Sequence, residues 1–275
     1  MISRLIGPRK LVAVTAAALL AAGAGACSSS SSSTSSSGSG SSSTLVMESS
    51  PESTITQAFN PFIATQAIWG MGADGLIYEP LLQFDIAAPP KYYPWLATSY
   101  QWSNGGKTVK FTIRQGVKFN NGTPMTPADV AFTYNLVKNN KAINLAGLAI
   151  SSVSTSGNTV TLTFPAAQYT NLQSIAGVPI LPQAIWSKVG NPATYADANP
   201  VGTGPYKLKT FTPQGFTLTK NTGYWQISKV KVPNVYFPVY TSNTGALSAL
   251  FSDQIDWTGS FIPGLHDVCM IFERP

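Results

Sequence analysis

Histidine and cysteine are almost absent from this chain of 275 residues. The histidine is His266, and the cysteines are Cys27 and Cys269. That set builds neither a disulfide framework nor a Cys/His zinc site. It also removes the usual general base from most of the chain, because His266 falls in the last ten residues. Charge is scarce as well, at 10% of residues. The formal net charge of +6 owes much to Arg4, Arg9 and Lys10 at the start. Beyond them the balance is only mildly basic and the lysines are scattered, so a nucleic-acid partner has no electrostatic support. Hydrophobic residues make up 44% of the chain, enough for a globular body of one large or two small domains.

The first segment reads as an export address. A basic start precedes an apolar run from Leu11 to about Ala22, and then small residues. The run is shorter than the roughly 20 apolar residues that span a bilayer. Ala24-Gly25-Ala26 offers an ordinary signal-peptidase site. Ala24-Gly25-Ala26-Cys27 also resembles a lipobox, with Ala24 where leucine is usual. A tract without apolar residues follows from Ser28 to Thr44 and cannot pack. Its reach of roughly 20–25 Å suits a tether between a lipidated Cys27 and a folded body. The alternative is a freely secreted protein with a disordered N-terminus.

From Leu45 onward, patterns of folded structure appear. "TLVMES" is a short strand, and Asn60-Pro61 marks a turn. In "KTVKFTIRQGVKF", Val109, Phe111 and Ile113 alternate with Lys110, Thr112 and Arg114, as in a half-buried strand. Asn121-Gly122 favours a tight turn. Thr126, Pro127 and Asp129 form a helix start, with Val130, Tyr134 and Val137 on one face. Val160, Leu162 and Phe164 alternate in another strand. "VPILPQAIW" reads as a strand end leading into a short helix. A hairpin turns at Pro213-Gln214-Gly215, "VPNVYFPVY" is a strand, and a helix and a strand follow up to Trp257. Strands and helices mix without a repeat, so the class is α/β or α+β.

Catalytic motifs are thin. Gly70, Gly72 and Gly75 spell G-x-G-x-x-G, but the preceding stretch is broken by Pro61, and Glu79 and Asp85 lie too close for a ribose-binding acid. Close packing of a helix or turn is the better reading for these glycines. Ser228 and Lys231 match S-x-x-K without its partner motifs. Asp253 and Asp256 read as solvated residues beside a strand rather than as a carboxylate pair. Aromatics are more informative. Trp69, Tyr78, Tyr92, Tyr93, Trp95, Trp186, Tyr206, Tyr224 and Trp225 suit a core, and a minority in a cleft would suit an extended, partly apolar ligand.

Several stretches, in order, resemble one family: "FNPF", "LIYEPLLQFD", "PWLATSYQWSNGGKTVKFTIRQGVKFNNGTPMTPADVAFTYN", "ILPQAIW", "NPVGTGPYKL", "TKNTGYW" and "SDQIDW". The family is the substrate-binding proteins of ABC importers for oligopeptides and nickel, solute-binding family 5. The resemblance implies an α/β fold of the type II periplasmic-binding-protein kind, two-lobed with an extra domain, whose lobes close over a solute and dock on a permease. It implies domain I in 45–85 and 200–263 and domain II in 86–199, after a signal peptide in 1–26 and a lipidated tether in 27–44. It puts the glycine-containing segment in a helix near the ligand cleft. Trp69, Met71, Phe59 and Asn60 become the candidate ligand-binding residues, with core packing as the alternative for Trp69 and Met71. Asp129 becomes a cap rather than a catalyst. Family members run to roughly twice this length. The expectation is therefore that the C-terminal lobe is missing, that 264–275 is an aberrant tail, and that apolar faces are left exposed at a cost in stability.

The expected function is capture of a peptide or other small solute by a lipid-anchored monomer at the outer face of the cytoplasmic membrane or in the periplasm, with an ABC permease as partner. No catalytic residue, cofactor or metal is expected. The main alternative is a surface lipoprotein that binds envelope glycan or a protein partner without transport. A secreted hydrolase is the third reading.

Overall fold

The computed structural model describes residues 44–48, 50–63, 73–85, 87 and 91–259. The expectations for the export segment, Cys27, the tether before Thr44, Trp69, Met71 and the tail lie outside the described residues, and Thr44, expected as the last tether residue, opens a strand. Ser42–Pro275 forms one compact unit.

Eleven strands are described, in chain order β1 (Thr44–Glu48), β2 (Leu82–Phe84), β3 (Tyr92–Pro94), β4 (Ala97–Ser103), β5 (Thr108–Ile113), β6 (Ser152–Ser156), β7 (Thr159–Thr163), β8 (Tyr206–Thr212), β9 (Gly215–Lys220), β10 (Asn234–Pro238) and β11 (Trp257–Thr258). They form three sheets. The first is mixed, in the order β11-β1-β10-β9-β8, with β1 parallel to both β10 and β11. The second is the small pair β2-β3, and the third is antiparallel in the order β4-β5-β7-β6. All strands of the first sheet come from 44–48 and 206–258, and all strands of the third from 97–163.

The period-two patterns fold as read. Val109, Phe111 and Ile113 point inward from β5, and Val160 and Leu162 do so from the adjacent β7. Removing the outer faces of those strands from water would gain nothing, so polar Lys110 and Thr112 stay on the wetter side. The helix Pro127–Asn139 starts at Thr126, whose backbone N–H and hydroxyl both donate to Asp129 Oδ2 at 2.8 Å. Its buried face carries Val130, Thr133, Tyr134 and Val137.

The segment before the short helix Gln183–Trp186 differs from expectation, since no strand forms there. Pro179 and Pro182 lack the N–H groups that a ladder needs. The intervening donors find single partners instead: Ile180 N–H bonds the Glu79 carbonyl at 3.1 Å, and Leu181 N–H bonds Thr133 Oγ1 at 3.0 Å. The β8–β9 hairpin turns through Pro213 and Gln214, with Gly215 already in the first strand pair.

The glycine reading also shifts. Gly75 lies on the helix Asp74–Ile77, and a β-carbon there would meet nothing. The close approach is made by the other partner. Gly202 and Gly204 press against that helix, and a β-carbon on either would overlap the backbone carbonyls of Leu76 or Ile77. Their small size lets Gly204 N–H reach the Ile77 carbonyl at 2.9 Å.

Candidate functional site

The turn in "FNPF" is built from its asparagine. Asn60 Nδ2 donates to the carbonyls of Pro192 and Tyr195 at 2.8 and 2.7 Å, and its Oδ1 accepts from Phe62 N–H at 2.9 Å. Phe59 packs edge-on against Phe216 and Phe211, with centroids at 5.2 and 6.1 Å. These two anchors project Pro61 and Phe62 into the wall of a cavity of about 440 Å³. Phe62 also meets the buried Trp186 edge-on.

Four elements complete the cavity: β2 with Leu82 and Phe84, the end of the helix Pro127–Asn139 with Val137, the loop around Leu145, and the region of helix Leu172–Ala176 with Gln173. Its walls are mostly apolar. Leu145 is 58% exposed, the most exposed large hydrophobic side chain among the described residues. The volume falls in the range of small-molecule pockets, about 300–1,000 Å³. Other hollows lie along 184–195 and beside Asn120 and Phe211, each on fewer converging elements.

Behind the cavity sits an unusual carboxylate. Glu79 precedes the wall residue Pro80 and is 1% exposed. Its Oε1 accepts from Trp95 Nε1 at 2.6 Å and Tyr224 OH at 2.7 Å, and Oε2 accepts from Trp225 Nε1 at 3.3 Å. Burial raises its pKa, and these donors together with Thr203 pull it back down. The nearby cation, Arg114, does not pair with it. Its guanidinium stacks on Trp225 at 4.2 Å, and its Nε donates to the Trp95 carbonyl at 2.6 Å. All three of these bonds come from framework donors, so Glu79 ties the surrounding segments together.

Two further buried carboxyls lie near Tyr78. Asp197 is 2% exposed with φ 49°, and accepts from the hydroxyls of Tyr78 and Tyr195. Burial pushes its carboxyl up to about 6. Burial also pushes Asp74 up to about 7. Among the described residues, no three metal-ligating side chains gather.

The other candidates fall as follows. Phe59 and Asn60 are 0% and 1% exposed and do not line the cavity; they hold the turn that does. Asp129 is a cap, as expected, and its Oδ1 also accepts from Gln183 N–H at 2.9 Å. Asp256 ties the β11 end to β1, accepting from Val46 N–H at 2.7 Å. Ser228 lies exposed in a short turn. Sequence reasoning missed Leu82, Phe84, Leu145 and Gln173. One signal was available for the last two: no charged residue occurs from Ala142 to Ser187.

Comparison with known proteins adds a family match. The profile of bacterial extracellular solute-binding proteins, family 5 Middle, matches residues 91–267. The chain is similar to the oligopeptide-binding protein OppA of Bacillus subtilis (strain 168), 26% identical over 224 residues, covering 74% of this chain and 41% of the relative. It is also similar to the peptidoglycan-binding protein YepA of Agrobacterium fabrum, 29% identical over 184 residues, covering 61% of this chain and 29% of the relative. Among solved structures, the mannohexaose-bound periplasmic oligopeptide-binding protein of Thermotoga maritima superposes with a TM-score of 0.71 at 26% identity, over 81% of this chain and 42% of that one. The chain thus spans about two-fifths of the length of OppA and of the Thermotoga protein.

Proposed function

We propose, because the chain belongs to the bacterial extracellular solute-binding proteins of family 5, that it captures a peptide or similar small solute outside the cytoplasmic membrane for an ABC importer. The observation that carries this reading is the cavity of ligand size beside "FNPF", in a chain that shares its fold with an oligopeptide-binding protein. The commitment of Glu79 and Asp197 to framework hydrogen bonds supports binding without chemistry at those two carboxyls. Trp69 and Met71 are proposed as further ligand contacts, and Phe59 and Asn60 as the supports of the turn. The division into domain I (45–85 and 200–263) and domain II (86–199) is supported by the segregation of the first and third sheets along the chain. Isothermal calorimetry with mixed short peptides tests the reading. Saturable heat is expected, and its absence at high peptide concentration would reject peptide capture.

A second reading, glycan capture without transport, is supported by the similarity to a peptidoglycan-binding protein. Retention on purified cell-wall material, with no response to peptides, would favour it. Anchoring through a lipidated Cys27 is also proposed, on the lipobox-like residues before it. Each buried methylene of an acyl chain contributes about 0.8 kcal/mol, so several chains would hold the protein on the membrane. Cys27→Ala is expected to move the protein from the membrane fraction to the soluble fraction. Equal partitioning of both forms would exclude the anchor.

A further inference from the structure

The cavity beside Phe62 carries no charge on its described walls. The sequence accounts for this. No acidic or basic residue occurs between Glu52 and Asp74, or from Ala142 to Ser187, and these two runs supply most of the lining. Glu79, Asp85, Lys138 and Lys141 are the nearest charges along the chain, and none of them lines it. Lys138 and Lys141 are exposed. A charged group entering here would shed water without meeting a counter-ion, whereas an apolar group would exchange water for Leu82, Phe84, Val137 and Leu145.

The few polar side chains fit the same picture. Asn144 is occupied, since its Nδ2 donates to the Leu148 carbonyl and its Oδ1 accepts from Leu148 N–H. Gln83, Gln173 and Ser174 also line the cavity, and all three are neutral. Neutral amides and a hydroxyl suit peptide N–H and C=O groups, each of which needs one partner. An oligosaccharide, with several hydroxyls per ring, would leave most of them unpaired against this apolar wall.

We infer that the cavity seats an uncharged, apolar side chain of a bound peptide and selects against acidic and basic ones, with Gln83, Gln173 and Ser174 facing the peptide backbone. This rests on the solute-binding reading above and narrows its substrate class. Exposed Leu145 forms the lip over which that side chain enters.

The test uses the 275-residue chain with the neutral fluorophore N-phenyl-1-naphthylamine as the probe. Wild type should enhance its fluorescence saturably. Leu145→Asp should weaken that binding about tenfold, the equivalent of losing one buried aliphatic contact, while Leu145→Phe should retain it. Tripeptides then compete. Ala-Phe-Ala and Ala-Leu-Ala should displace the probe at concentrations about tenfold lower than Ala-Asp-Ala or Ala-Lys-Ala. Absence of probe binding, indifference to Leu145→Asp, or equal potency of charged and apolar tripeptides would each overturn the inference. Probe binding that depends on Leu145 but yields to no peptide would instead reject the peptide reading of the function, and with it the occupant assigned here. Displacement by mannohexaose alone would replace that occupant with a saccharide.

Discussion

Asp197 shows how a single buried side chain makes stability depend on pH. Its carboxyl is held in the interior by two tyrosine hydroxyls, and burial lifts its pKa from 3.8 to about 6. A carboxyl that binds its proton more tightly when folded favours the folded state below that range and loses the contribution as pH rises from about 4 to about 6. The shift of roughly two units sets an upper bound of about 3 kcal/mol. Asparagine keeps an acceptor for the Tyr78 hydroxyl and tolerates the left-handed backbone at φ 49°. Asp197→Asn is therefore expected to gain stability relative to wild type between pH 4 and pH 7, measured by urea unfolding across that range. A constant difference between the two proteins would show that the carboxyl does not titrate there.

At the scale of elements, the start of helix Pro127–Asn139 was readable because capping is local. Thr126, Pro127 and Asp129 are neighbours in the chain, and hydrogen bonds between them need nothing else. The bond from Gln183 N–H to Asp129 Oδ1 was not readable, because it joins residues far apart in sequence. One carboxylate thus caps one helix and anchors the start of another, Gln183–Trp186. Asp129→Ala is expected to cost about 2 kcal/mol, above the roughly 1 kcal/mol of an ordinary cap, because the Gln183 donor is left unmatched as well. Thr126→Ala, which spares that bond, should cost less. Chemical denaturation of both variants decides the matter, and equal losses would reduce Asp129 to a simple cap.

Across the whole molecule, Glu79 and Arg114 join segments next to different sheets. Trp95 precedes β4 of the third sheet, while Tyr224 and Trp225 follow β9 of the first. Arg114, just after β5, stacks across the same boundary on Trp225. Glu79→Gln would set an amide N–H₂ against an indole or hydroxyl donor, which should cost about 1–3 kcal/mol. Far-ultraviolet and near-ultraviolet circular dichroism should then report one shared transition, shifted to lower urea. Separation of the two signals would mean that the sheets unfold as independent units, against a single compact body.

Strand periods, the helix start, the hairpin at Pro213 and the family's ordered motifs were legible along the chain, because each depends on residues within a few positions of one another or on a pattern repeated from relative to relative. Even the neutrality of the cavity was latent in the charge-free run from Ala142 to Ser187. Folding alone decided which glycines allow close approach, since Gly202 and Gly204 matter only once they meet the Leu76 and Ile77 carbonyls. It alone turned Glu79 from an ordinary acid into the acceptor of two indoles and a tyrosine, and brought Phe62, Leu82, Val137, Leu145 and Gln173 around one space. Burial and partnership are properties of distance in three dimensions, and positions far apart in sequence carry no local mark of the neighbours they will acquire.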